Sequence, residues 1–297
     1  NTSINFGTLN ANDKSEPQTV TISHCNVGAG ATVVPSSSKF KVNKSSLIST
    51  GADKMGTEDF IVTYDNSEGG THEETITVSD PSGKNAPVII RVSGTTLATY
   101  NFSAQASPNN ANYGSASASV DKATITSANA SETATATFTA TAKEGYEFAG
   151  WGASGTATTY ESTANPYQTT ISNTAHATTA TKTLYAIFRP VFRFSVAAEK
   201  IYDHGTVSAT VTDKILGEPT ATSLSTKATF TASPKTGATF EGWYSDREHT
   251  QLVSKETICT PTITNSTVGS TQNLTLYAWF KCNQTLRWKN DIQDFNL

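Results

Sequence analysis

The stretch ATFTATAKEGYEFAGW, Ala136 to Trp151, returns as ATFTASPKTGATFEGW, Ala228 to Trp243, 92 residues further on. The same offset of 92 links Phe102 to Phe194, Asn173 to Asn265, and LYAIF (Leu184 to Phe188) to LYAWF (Leu276 to Phe280). A repeat of this length is one folding module written twice, and it constrains the architecture more than any single motif.

Composition says what kind of module this is. Charged residues are 15% of the 297, against roughly 25% in an average globular protein. Thr, Ser, Ala, Asn and Gly stand in their place. Thr suits a half-buried pleated surface, while the usual helix formers Lys, Glu and Leu are scarce. The expectation is an all-β chain of two to three domains, each large enough for its own core. A net charge of −4 and a pI near 5.8 argue against a nucleic-acid partner, because phosphate neutralisation needs a basic face. The sequence holds no run of 18 apolar residues, so no helical membrane span is expected.

The chain opens on Asn1-Thr2-Ser3 without Met and stops within an alternating pattern, Asp294 to Leu297. It reads as a fragment of a longer, processed protein. Three cysteines leave at least one thiol unpaired. Cys259 and Cys282 share a module; a bridge between adjacent strands and two separate thiols both remain open, with free thiols favoured.

Residues 1–97 carry short β-branched runs between turn clusters. Thr19 to Ser23 and Phe40 to Val42 alternate with period two. Phe60 to Tyr64 runs into the acidic turn Asp65 to Gly70, and Thr75 to Val78 into Asp80-Pro81-Ser82-Gly83. The last run is Val88 to Gly94. This spacing predicts a β-sandwich. Residues 98–190 and 191–281 are the two modules. In the first, Phe138, Ala140 and Ala142 fall on one face of a strand and Thr137, Thr139 and Thr141 on the other. Gly145 recurs as Gly237, as expected where a turn needs positive φ. In the closing strands Leu184, Ala186 and Phe188 share a face, copied as Leu276, Ala278 and Phe280. The joints Gly94–Ala98 and Arg189-Pro190-Val191 are too short, and the second too restricted by Pro, to be flexible tethers. An elongated multidomain rod follows. Domains of this size have radii of gyration of roughly 13 Å, so three end to end span on the order of 100 Å. Residues 282–297 resemble the truncated start of a further module, with Trp288, Ile292 and Phe295 as its core residues.

The opening INFG, the strand IVTY, the acidic GG turn and the closing VIIRVSGTTL resemble immunoglobulin-like domains of the ASH type. The pattern GYxFxGW followed some 35 residues later by TLYAxF resembles the internalin-type B-repeat, the Listeria–Bacteroides repeat, in its divergent form. It rests on Gly145, Tyr146, Phe148, Gly150, Trp151 and Thr183 to Phe188. The second copy rests on Gly237, Phe240, Gly242, Trp243 and Thr275 to Phe280, with Ala238 in place of the Tyr. The resemblance implies small β-rich modules arrayed on secreted or surface-anchored bacterial proteins. Better-known members carry a short helix across the sheet, but Gly152 to Ala180 shows no helical period, so little helix is expected.

Candidate chemistry is sparse. Phe138, Phe148, Trp151, Phe188, Phe230, Phe240, Trp243 and Phe280 are expected as structural core, the two Trp residues plugging their modules rather than stacking on ligand. Trp279 and Tyr277 lie on the strand face opposite the Leu-Ala-Phe row. Either they contact a ligand or they pack against an adjoining module. His24, His72, His176, His204 and His249 have no metal-ligand spacing. Asp65, Glu68, Glu73 and Glu74 cluster at one hairpin but lack the calcium-loop pattern. No nucleophile elbow, Cys–His pairing or phosphate loop is present. No cofactor or metal is expected.

The reading is a monomeric, non-enzymatic stalk region of a bacterial secreted or cell-surface protein, its partners neighbouring domains of the same longer chain. The alternatives are a module binding host glycan or matrix protein, and accessory domains of a secreted hydrolase.

Overall fold

A computed structural model describes residues 2–25, 27, 30–48 and 55–283. The expected core of a further module after residue 283, Trp288, Ile292 and Phe295, lies outside the described residues. Within them every regular element is a strand and none is a helix. The chain is all-β, as alternation and Thr content require. The described residues divide into two compact units: those within 1–106, 117–139 and 166–183 form one, and those within 107–116, 140–165 and 184–283 form the other.

The first unit begins with two facing sheets. In one, Thr32–Pro35, Gly70–Ser79 and Val88–Pro108 are neighbours, and Ser3–Asn10 joins in parallel along Val88–Pro108, Ser3 opposite Arg91. In the other, Met55–Tyr64 lies between Gln18–Cys25 and Phe40–Val42. Alternate residues of both sheets meet in one core: Val20, Phe40, Phe60 and Val62 from one, Val33, Ile76, Ile90 and Val92 from the other. This is a sandwich because each strand has one apolar face to hide. Phe40 and Tyr64 stack at 5.0 Å, and the Tyr64 hydroxyl meets the buried Thr96 hydroxyl at 2.7 Å.

Gly94–Ala98 lies inside the 21-residue strand Val88–Pro108, so the first joint is continuous backbone of a sheet. Beyond it, still in the first unit, Thr124–Ser127 pairs antiparallel with Ala98 to Asn101. Glu132–Ala142 pairs with Tyr167–Asn173, Phe138 opposite Tyr167. Ala134, Ala136, Phe138 and Ala140 are all buried while the intervening Thr residues are not.

The second unit holds the two GW motifs. Tyr146–Gly152 pairs antiparallel with the 22-residue strand Thr179–Lys200, and Ala238–Tyr244 with Thr271–Cys282. Phe148 faces Phe188 and Phe240 faces Phe280, with a bulge before Gly150 and Gly242 alike. The bulge explains the glycine before each Trp. A Cβ on Gly150 would lie 2.4 Å from Tyr160 Cγ, and one on Gly242 2.7 Å from Leu252 Cδ1. The second joint, Arg189-Pro190-Val191, is again strand interior. After it, residues 193–200 run parallel to Thr271–Cys282, and Lys214–Leu216 pairs back onto Val191 to Arg193.

Candidate functional site

Trp151 and Trp243 are fully buried. The Trp243 ring lies edge-on to Phe230 at 5.5 Å and to Phe240 at 5.6 Å, and Trp151 lies 5.3 Å from Phe148. Each indole N–H has a carbonyl: Trp151 donates to Ala164 O at 3.1 Å, Trp243 to Thr257 O at 3.5 Å. Phe138, Phe188, Phe230 and Phe280 are buried, while Phe148 and Phe240 are half-buried against the Trp three residues after each.

Asn173 and Asn265 are buried polar residues in corresponding places. The Asn173 amide donates to Asn101 O at 3.0 Å and Thr178 O at 2.9 Å. The Asn265 amide donates to Arg193 O at 3.0 Å and Ser270 O at 2.9 Å. Each Oδ1 accepts the N–H of Ala175 or Thr267. A buried amide that satisfies two carbonyls and one N–H ties a loop to the first strand of its module. The offset of 92 marked the pair, but nothing in the sequence revealed that their role is structural.

Tyr277 and Trp279 are half-buried on the face opposite Leu276, Ala278 and Phe280. They do not stand alone. His249 stacks on Trp279 at 4.3 Å between ring centroids and 21° between planes, and contacts Tyr244 at 4.0 Å. Tyr202, 49% exposed, meets Trp279 edge-on at 5.4 Å. The Arg247 guanidinium lies 5.4 Å above the Tyr277 ring and pairs with Glu199; that hydrogen-bonded carboxylate, then Tyr277, raises the Arg247 pKa further. Asp246 builds the loop that carries Arg247 and His249. Its carboxylate accepts the N–H groups of Thr250 at 2.9 Å and Gln251 at 2.6 Å, the former the largest cause of its lowered pKa. The turn holds His249 at φ +64°. Trp279 Nε1 is buried without a hydrogen-bond partner among the described residues. Arg247, Tyr202 and Tyr244 were not singled out from sequence, and His249 was named only as one of five scattered histidines. The trace they leave there is Asp246 two residues after an aromatic that follows the GW motif, a short turn over the Trp279 face.

The corresponding face of the first copy looks different. Ile187 stands where Trp279 does and is fully buried. Beside it Asn110, Tyr113, Gly155 to Thr158 and Tyr160, together with Arg189 and Glu218 to Thr220 of the following segment, line a cleft of about 480 Å³. Arg189 donates to Gly217 O and to Glu218 Oε1, both at 2.7 Å.

Several of the remaining candidates have partners of their own, while His24 Nδ1 and His72 Nε2 are buried without a hydrogen-bond partner among the described residues. Asp65 pairs with Lys41 at 3.1 Å, Glu68 with Lys39 at 2.9 Å, and Glu74 accepts the Ser36 hydroxyl at 2.6 Å. Hydrogen bonding by Ser67, then Lys41, lowers the Asp65 pKa to about 2. His176 Nδ1 accepts the Thr99 N–H at 2.9 Å. Among the described residues no three His, Cys, Asp or Glu side chains gather as metal ligands. Cys25, Cys259 and Cys282 are free, Cys259 buried in the core and the others exposed. No described helix is long and apolar enough to cross a membrane.

Two copies of a β-module, each closed by a buried Trp and a buried Asn, define a tandem β-repeat protein. The chain belongs to the divergent InlB B-repeat domain family, whose model matches residues 106–184 and 203–284. That family is a repeat domain. No curated protein matches the chain. Among solved structures it is similar to the Bacillus anthracis TIE protein, at 10% identity and a TM-score of 0.27 over 93% of this chain and 56% of that one. A second is the secreted serine protease VesC from Vibrio cholerae, at 10% identity and a TM-score of 0.20 over 59% of this chain and 43% of that one. The chain thus spans about half the length of each.

Proposed function

We propose that this chain is a non-enzymatic stalk region of a bacterial cell-surface or secreted protein, an ASH-type immunoglobulin-like domain followed by two divergent B-repeats at 98–190 and 191–281. What supports the reading is that no linker separates successive domains. Val88–Pro108 and Thr179–Lys200 each run through a joint as one strand, so bending there would break ladder hydrogen bonds. A passive spacer needs that property, and an enzyme gains nothing from it. Spin labels at Ala153 and Lys255, both exposed and both in the second unit, with Cys25 and Cys282 replaced by Ser, should give one narrow distance distribution. A broad one would remove the stalk reading.

A second reading, adhesion to host glycan or matrix protein, is favoured by one observation: the aromatic patch of Tyr202, Trp279 and Tyr277 is partly open to solvent. Stacking on such rings is a common route to sugar and protein contact. An array of host glycans and matrix proteins decides between them. Saturable binding that Trp279→Ala abolishes would make this an adhesin module. Absence of binding at micromolar protein keeps the spacer role alone.

A further inference from the structure

The joint between the two repeats shows how one module is gripped by the next. Two loops of the second repeat reach back. In one, Val268 Cγ1 and Gly269 Cα lie 3.2 and 3.3 Å from where a Cβ on Gly145 would stand, and the Gly269 N–H donates to Val191 O at 2.8 Å. In the other, Gly217 and Glu218 bind Arg189, and nearby Lys214 pairs with Glu147 at 2.9 Å. The joint before it uses the corresponding loops of the first repeat. A Cβ on Gly69 would lie 2.8 Å from Asn129 O, and Thr174 to His176 line a cavity with Ser67 to Gly69. The same device thus occurs at both joints.

We infer that the far end of the second repeat is a socket for these two loops on a further module of the same kind, seated on Gly237, Lys281 and the Trp279 patch. Moving the first repeat's contact residues Gly145 and Arg189, its cleft residues Asn110 and Ala157, and the buried Ile187 forward by 92 places them on Gly237, Lys281, Tyr202, His249 and Trp279. Gly237 keeps the turn, φ +82° against +85°, yet a Cβ there would meet nothing within 4 Å among the described residues, whereas at Gly145 the next module's loop fills that space. Lys281 is exposed and has no ion pair among the described residues, the charge that a loop acid like Glu218 would meet. The outgoing strand already leaves in the same way: the Asn283 N–H donates to Gly237 O at 2.7 Å, as Val191 does to Gly145 O at 2.9 Å. The sequence keeps the register, with Leu286 and Trp288 at 92 residues from Phe194 and Val196.

This inference rests on the repeat reading and competes with ligand binding for the same rings. The test extends residues 1–282 with a second copy of 191–283, which supplies both loops in register. Amide exchange should slow about tenfold in peptides covering Gly237 and Tyr277 to Lys281 relative to the unextended chain. Lys281→Glu in the extended chain should remove that protection by opposing the copy's Glu218, and adding Glu218→Lys in the copy should restore it. No gain in protection, or a gain indifferent to the charge swap, overturns the socket. So does a unextended chain that dimerises in solution and loses dimerisation with Trp279→Ala, since the occupant would then be a second molecule. Neither failure touches the spin-label test, which reads only the joint at Pro190.

Discussion

Removing the buried amide of Asn265 should loosen the second repeat without disturbing the first unit. Asn265 is 1% exposed, and its amide is shared between the carbonyls of Arg193 at 3.0 Å and Ser270 at 2.9 Å. In Asn265→Ala both carbonyls lose a donor. The Thr267 N–H also loses its acceptor, but Thr267 is exposed and water can replace it. An orphaned buried polar group costs about 1–3 kcal/mol. The Ser270 carbonyl keeps the Arg193 N–H at 3.3 Å, so the penalty falls mainly on the part-buried Arg193 carbonyl and the total is about 2 kcal/mol. Asn265→Asp keeps the volume but turns an acceptor toward two acceptors. It should cost more at neutral pH. The sign of its pH dependence is fixed: two facing carbonyls and burial raise the folded-state pKa of the introduced acid, so stability is greatest at low pH and declines as pH rises. Hydrogen exchange read by mass spectrometry, alongside guanidinium unfolding, separates the units. Peptides from 191–200 and 262–278 should lose protection while those from 55–97 keep it. Asn173→Ala should do the reverse, because its partners Asn101 and Thr178 lie in the first unit. If either substitution shifts stability by less than about 0.5 kcal/mol, the size of an ordinary surface change, the account of these residues as ties between loop and strand is wrong.

Trp243→Ala should cost about 3–5 kcal/mol, the range for deleting a buried aromatic, and lower one calorimetric transition only; an unchanged thermogram would show that the ring does not support the core. Asp65, held at a pKa of about 2 against 3.8, contributes stability that is present above about pH 4 and lost as pH falls toward about 2. The acid limb of stability in Asp65→Asn should therefore be flatter than in the parent chain, and parallel limbs would refute the assignment. Cys25 and Cys282 are exposed while desolvation pushes the buried Cys259 thiol up. Two thiols should react with an aromatic disulfide reagent in the native protein and the third only on unfolding; three rapid reactions would place Cys259 elsewhere.

The sequence alone determined that a module is repeated, that it is built of strands, and which side chains fill it. These follow from local chemistry: period-two alternation assigns faces, and a Trp flanked by a recurring Gly must be accommodated the same way twice. Phe138 and Ala140 were legible as one buried row because each strand has to hide one face, whereas Ala142, read onto the same face, is exposed at the strand's end. What surrounds Trp279 was not legible. Tyr202, Tyr244, Arg247 and His249 come from separate strands and a turn, brought together by the parallel pairing of residues 193–200 with 271–278 and by the bulge before Gly242. Register of that kind depends on partners far along the chain, which no local pattern encodes. The joints differed in the same sense. Gly94–Ala98 and Arg189–Val191 read as short linkers, yet tertiary pairing makes them the interiors of two long strands, because the following module adds a strand, Thr124–Ser127 or Lys214–Leu216, from the last residue of the joint onward. The sequence marked the repeat; only the pairing decided that loops of its second copy close over Gly145 and Arg189 of the first.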